Sequence, residues 1–279
     1  MRRHHDDEVH EDEIHEHDRG LSYDLPVLAR RRMIRLMAGV GAGLAPLVGC
    51  SADDTSSPSA SAAGSASSAE CATVPEETAG PYPGDGSNGV NVLKESGVVR
   101  GDITGSFGDS AGGTAEGVPL TFTLTVVDAA SGCGTPKRGA AVYVWHCDRE
   151  GGYSLYTEGV ADENYLRGVQ ETDDRGRVTF TSVFPGCYPG RWPHIHFEVY
   201  GSLADATTAT AITSTSQLAL PKDVCDAVYA TEGYEGSVDN LGRLSLESDS
   251  VFRDGHDQQL AVVKGSVVEG YTATLTIAV

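Results

Sequence analysis

The sequence predicts an all-β fold, an antiparallel β-sandwich with one or two short helices. Three observations point there. Apolar residues alternate with threonines in several short runs, the period-2 pattern of half-buried strands. Clusters of Gly, Asp, Asn and Pro separate those runs, and glycine alone supplies 34 of the 279 residues. Only one stretch carries a persuasive helix pattern. Many strands, tight turns and few helices describe two packed antiparallel sheets better than a helix-covered parallel one.

The elements follow in order. VPLTFTLTVVD (118–128) sets Leu120, Phe122, Leu124 and Val126 against threonines on the other face. AAVYVWH (140–146), RVTFTSVF (177–184), HIHFEVY (194–200) and YTATLTIAV (271–279) read as further strands. PKDVCDAVYA (221–230) reads as the helix, with Pro221 near its first turn. The remaining C-terminal stretch reads as extra strands. No internal repeat is present, and 71–279 reads as one domain.

The segment before residue 71 is of a different kind. Residues 1–20 are polar and hold His4, His5, His10, His15 and His17 among many acids. Such a tail can bind metal loosely, but its composition favours a solvated leader. Arg30-Arg31-Arg32-Met33-Ile34-Arg35 resembles a twin-arginine export signal. The apolar run after it is short and glycine-rich, which suits a cleaved signal better than a membrane span. The run ends in Leu47-Val48-Gly49-Cys50, which resembles a lipobox. The expected organisation is a signal over 1–49, a Ser/Ala tether over 50–70 and the domain over 71–279. The expected location is outside the cytoplasm, at the outer face of the cytoplasmic membrane or in the cell envelope. A lipid on Cys50 would be the only link to the membrane.

The formal charge is −20. Removal of 1–49 leaves 13 basic and 31 acidic side chains, so the domain itself is acidic. Nucleic acid and anionic lipid surfaces are therefore poor candidate partners, and none is expected beyond the lipid on Cys50. Besides Cys50 there are five cysteines, Cys71, Cys133, Cys147, Cys187 and Cys225. Disulfides are permitted outside the cytoplasm, and the odd number leaves at least one thiol unpaired. Pairing of Cys133 with Cys147 is disfavoured, because a strand separates them. No spacing resembles a zinc CxxC pair.

The chemistry concentrates in FPGCYPGRWPHIHFEVY (184–200). On a strand, His194 and His196 project to one face, with Ile195, Phe197 and Val199 on the other. WHCDREGGYSLY (145–156) adds Tyr153 in a Gly-rich loop, and Tyr188 sits in a second tight loop with Arg191 after it. Singly, each residue has an ordinary explanation: a turn-packing tyrosine, a surface arginine, a hydrogen-bonded histidine pair. Together, two phenolates and two neutral imidazoles would leave a trivalent iron at net +1, and a bound hydroxide would neutralise it. That set suits Fe(III) better than Zn(II), since phenolate is a hard anionic donor.

GAAVYVWHCDREGGYSLY and YLRGVQETDDRGRVTFTSVFPGCYPGRWPHIHFEVY resemble the core of the intradiol ring-cleavage dioxygenases. ETAGPYPG (77–84) resembles the lead-in segment of that family. The resemblance implies one non-haem Fe(III) per chain, held by Tyr153, Tyr188, His194 and His196, with Arg191 as the active-site arginine. It implies a catechol-type substrate and O2, with cleavage between the hydroxyl-bearing carbons to a cis,cis-muconate-type diacid. Tyr188 is assigned as the ligand that leaves when substrate binds, and Tyr153 as the one that stays. The Tyr188-to-His194 connection is shorter than in the well-known catabolic members, so one pocket wall should differ. Trp145 and Trp192 are candidates for pocket wall or core. Tyr229, Tyr234 and His256 receive no role. Two other classes compete. One is a non-catalytic β-sandwich lipoprotein that binds a ligand. The other is a zinc or copper enzyme built on His194 and His196, with Glu198 on the same strand face.

Overall fold

The structure is a computed structural model, and it describes residues 71–110, 112–208 and 211–279. The expected export signal, the lipobox-like Leu47–Cys50 and the expected tether, up to residue 70, lie outside the described residues. Strand β1 (Pro119–Val127), β4 (Arg177–Val183), β7 (Val262–Ser266) and β8 (Gly270–Ala278) form one sheet in the order β4-β1-β8-β7. Strand β2 (Ala141–Trp145), β3 (Arg167–Glu171), β5 (His194–Tyr200) and β6 (Ile212–Ala219) form the other, in the order β3-β2-β5-β6. The β-sandwich expected from the sequence is therefore present.

Two details depart from the expectation. Strands β1 and β8 pair in parallel, Leu120 opposite Tyr271 through Val127 opposite Ala278, within otherwise antiparallel sheets. Parallel neighbours need a long crossover, and here nearly the whole chain between β1 and β8 supplies it. The helices also exceed one or two: α1 (Leu203–Thr208), α2 (Lys222–Tyr229) and α3 (Glu235–Leu241) occur among the described residues. Helix α2 is the expected one, with extended Pro221 at its N-cap.

Alternation on β1, β4 and β8 sends Leu120, Phe122, Leu124, Phe180, Ala273 and Leu275 into the space between the sheets. They meet Val142, Val144, Ile195, Phe197 and Val199 from the second sheet. Phe122 stacks on Phe180 with ring centroids 5.3 Å apart. Helix α2 closes one end of this core with Cys225, Val228 and Tyr229.

The other face of the second sheet is covered too. Tyr143, Trp145, Val169 and Tyr200 form a separate buried cluster with Val92, Leu93 and Val98 from the N-terminal strap and Ala206 from α1. Sequence alternation thus places His194, His196 and Glu198 under cover rather than in water. A single disulfide, Cys71–Cys133, is present among the described residues, while Cys147, Cys187 and Cys225 are buried thiols.

Candidate active site

His194 and His196 stand side by side on β5, as the strand period requires, with Ile195 and Phe197 turned into the core. Their Nε2 atoms are 3.0 Å apart. The His194 Nδ1–H donates to the Trp192 carbonyl at 2.5 Å, which leaves its Nε2 as a lone pair. Burial first, and then the charge of Arg191, lowers His194 to about 3. Burial, then its histidine neighbour, holds His196 well below the usual range. Both rings are therefore neutral at physiological pH. Trp145, opposite His196 in the β2–β5 register, stacks on its ring at 4.8 Å and 6° and fixes its plane.

The loop between β2 and β3 delivers Tyr153. Asp148 accepts the amide N–H groups of Glu150 and Gly152 at 3.0 and 2.8 Å, which folds the turn before the tyrosine. Gly151 has φ +92°, and a Cβ there would lie 3.1 Å from the Tyr188 Cβ, so the two tyrosine loops touch through a residue that must be glycine. The Arg167 guanidinium holds the far side of the loop. It donates to the Ser154 Oγ and carbonyl at 3.1 and 2.9 Å and to the Pro83 carbonyl at 2.8 Å. The same side chain thereby ties the N-terminal strap to the Tyr153 loop.

Tyr153 is 2% exposed, and its hydroxyl, beside the Tyr188 phenol, makes no hydrogen bond of ordinary length. Burial, followed by the Tyr188 phenol, pushes its pKa well above the ordinary value. Tyr188 is half-buried, and its Oη lies 3.3 Å from the His194 Nε2. The Tyr153 and Tyr188 rings meet edge-on at 5.8 Å.

Arg191 is buried against Asp249. Its Nε donates to Asp249 Oδ2 at 3.1 Å, and its Nη2 donates to Gln217 Oε1 at 2.6 Å. Burial raises the Asp249 carboxyl, but Arg191 and the Trp192 and Val251 amides outweigh it and hold the group below its usual value. Gln217 in turn donates to the Thr78 carbonyl at 2.9 Å. The arginine is thus oriented from both sides, and its field reaches Tyr153, His194 and His196.

All five residues singled out from the sequence, Tyr153, Tyr188, Arg191, His194 and His196, come together. Asp249, Gln217 and Arg167 were missed, because each acts through a contact across a long sequence distance. Of the two tryptophans, Trp145 belongs to the site face. Trp192 belongs to the core, its Nε1 donating to the Leu220 carbonyl at 2.9 Å. Tyr229 and Tyr234 donate to the carbonyls of Pro185 and Phe184, and His256 Nδ1 meets the Phe252 carbonyl, so all three serve the framework.

The donor set can be tested for a metal. The two Nε2 atoms are 3.0 Å apart, a contact that the His196 Nε2–H can fill by donating to the His194 lone pair, and in which a cation could replace that proton. That separation matches two nitrogens about 2.1 Å from one ion and about 90° apart. A buried phenol that makes no hydrogen bond of ordinary length also calls for a cation. Gly80 (φ +70°) leaves open the space beside the His196 Nε2, where a Cβ would lie 3.9 Å away. These residues fit a hard cation. Among the described residues no group of three or more His, Cys, Asp or Glu is placed to hold a metal. Glu198 instead accepts the Tyr200 hydroxyl at 2.6 Å. A zinc site of His194, His196 and Glu198 therefore finds no support.

Comparisons with known proteins agree with this geometry. A family model described as "Dioxygenase" matches residues 102–240, a window that holds all five site residues. Chlorocatechol 1,2-dioxygenase of Rhodococcus opacus is 35% identical over 69 residues, 25% of this chain and 26% of that protein. Catechol 1,2-dioxygenase of Candida albicans is 30% identical over 117 residues, 36% of this chain and 37% of that one. The chain spans only 26% and 37% of the length of these curated relatives. A solved intradiol ring-cleavage dioxygenase from Tetranychus urticae superposes with a TM-score of 0.57 at 26% identity, covering 75% of this chain and 94% of that one. Sequence motifs, sandwich and matches converge: the chain belongs to the intradiol ring-cleavage dioxygenase family.

Proposed function

We propose that this chain is a non-haem Fe(III) dioxygenase that cleaves a catechol-type ring between its two hydroxyl-bearing carbons. Both atoms of O2 would end in a cis,cis-muconate-type diacid. The observation that carries the proposal is the convergence of two neutral imidazoles and two phenols, one buried without a hydrogen bond of ordinary length, beside an oriented arginine. The relatives named as catechol and chlorocatechol dioxygenases support a small catechol as substrate.

Tyr153, Tyr188, His194 and His196 would hold the iron, one per chain. When bound, a ferric ion would favour the dianion of the diol and open its ring to attack by O2. The protein's own part is positioning and charge. Tyr188, half-exposed at the edge of the cavity, is placed to take a proton from an incoming diol on its Oη. Tyr153, fully buried, stays in place. Arg191 supplies a fixed cation for negative charge that develops on the ring, and no reorganisation is needed because Asp249 and Gln217 already hold it. Trp145 and the His194–Trp192 hydrogen bond lock the imidazoles in orientation.

The test is a visible absorption spectrum with metal analysis, before and after anaerobic addition of catechol. The expected result is a red protein with about one iron per chain and a band that moves to longer wavelength with catechol, as tyrosinate donors on a hard ferric ion would give. Tyr188→Phe should weaken the band and abolish turnover. A colourless protein that stays iron-free after ferric reconstitution would retire the proposal in favour of a binding module.

The leader motifs carry a separate proposal, that the chain is exported and anchored through lipid on Cys50. Mass spectrometry of the detergent-extracted protein should find an acylated Cys50 as the first residue; an intact Met1 would refute it.

A further inference from the structure

We infer that the cavity over Tyr153 and Tyr188 selects catechols whose ring substituent is cationic or neutral and turns away those that carry a carboxylate. This rests on the ring-cleavage proposal and adds a substrate class to it. The cavity holds about 290 Å³ and is lined by three tyrosines, Tyr82, Tyr153 and Tyr188, and three acids, Asp148, Glu150 and Glu158. No Lys, Arg or His is among its lining residues.

The acids differ in what they can do. Asp148 is engaged by the Glu150 and Gly152 amides and the Tyr165 hydroxyl, so its role is structural. Glu150 and Glu158 are exposed at the rim. The one basic residue between 148 and 160, Arg149, is turned away and paired with Glu116 at 2.7 Å. The three lining tyrosines pack on one another, Tyr82 and Tyr153 at 4.9 Å and Tyr153 and Tyr188 edge-on at 5.8 Å, and bring no positive charge to the lining.

An observation independent of the charges supports a ligand here. Tyr153, 2% exposed, lines this cavity, and its buried hydroxyl, beside the Tyr188 phenol, makes no hydrogen bond of ordinary length. An anionic substituent entering here would lose water and find no counter-charge in the lining, a cost that a neutral or cationic one escapes. At low salt the rim carboxylates should change the rate of productive encounter by about tenfold per unit of substrate charge, and far less at 1 M salt, where screening acts over about 3 Å.

The experiment compares kcat/KM of the iron-loaded full chain for 4-(2-aminoethyl)catechol, 4-ethylcatechol and 3,4-dihydroxyphenylacetate. These share a ring and differ in side-chain charge. Binding of the same diols to the iron-free chain, read by calorimetry, gives a ranking that does not depend on turnover. The expected order is cation, neutral, anion in both readouts. The spread should shrink in 1 M salt and in the Glu150→Gln/Glu158→Gln variant. A flat or reversed order of binding, or of kcat/KM where the diols are cleaved, overturns the inference. If none of the diols is cleaved while the binding order holds, the ring-cleavage proposal fails and the charge selection stands. If the neutral diol is cleaved and the order is flat, the reverse is true.

Discussion

The two sheets are made of strands of similar length, yet they are covered differently. On β8, Thr272, Thr274 and Thr276 face solvent while Tyr271, Ala273, Leu275 and Ile277 face the core, and β4 repeats the alternation with Thr179 and Thr181 outside. On β2 and β5 no residue is exposed at all. The first sheet has one buried face and the second has two. One buried face is enough for stability. The second buried face is where imidazoles can be kept neutral, a phenol can be desolvated and an arginine can be held by a carboxylate without competition from water.

This contrast can be tested by substitutions on each side, in order of expected effect. His194→Ala on the covered face should cost more than about 100-fold in iron affinity, beyond the roughly 10–100-fold typical of outer contacts around a metal; metal analysis after dialysis reads it. An iron content equal to the parent's would remove His194 from the ligand set. Asp249→Ala strands the buried Arg191 charge and should destabilise the fold by about 3–5 kcal/mol. It should also lower kcat with little change in KM, whereas a purely structural loss would leave kcat per folded molecule unchanged. Phe122→Ala between the sheets should cost about 3–5 kcal/mol by cavity formation. Here kcat per folded molecule should stay level, and denaturant titration with kinetics at low temperature separates the two outcomes.

An acid-sensitivity test is next in size. His146 is buried, donates Nδ1–H to the Cys147 carbonyl and receives the Ser182 hydroxyl on Nε2, both at 2.7 Å. Burial lowers it to about 4, so the folded chain refuses a proton that the unfolded chain takes near 6.5. Stability should therefore fall as pH drops from 6.5 to 4, by roughly 3 kcal/mol for this group, and show no dependence on it above 6.5. His146→Gln should flatten that slope by nearly one proton; an unchanged slope would assign the acid lability elsewhere. Smallest of all is Thr276→Ala on the open face, expected to cost less than about 1 kcal/mol and to leave turnover untouched.

Legibility followed the same division. Strands β1, β4 and β8 could be read from alternation because one face meets water. Strand β5 could be read because His194 and His196 break an apolar run at a two-residue spacing. Strand β3 (RGVQE) was hidden by Arg167 and Gly168, which look like loop residues but are buried against the strap. Strand β6, with the sequence ITSTSQLA, buries polar residues whose partners lie on other strands and the strap. Helix α3, EGSVDNL, contains Gly, Ser and Asn, weak helix formers that packing overrides. The parallel pairing of β1 with β8 leaves no trace in either strand's pattern. At the site, residue types and spacing revealed the inner set. Arg191 was legible and its anchor was not, since Asp249 is 58 residues away and nothing local marks it.

The Cys71–Cys133 bond closes a covalent ring over the part of the chain that roofs the site. Gly80, Tyr82 and Pro83 lie inside that ring, pinned at one end by the disulfide and along their length by Arg167 and Tyr143. A tug arriving from residues before Cys71 therefore passes across the sulfur bridge to the turn that follows β1, and on into the four-stranded threonine-faced sheet. The roof is left out of the load path. A leash attached upstream could be strained without peeling the cover from His196, and reduction of the one bond would reroute that strain straight through the roof.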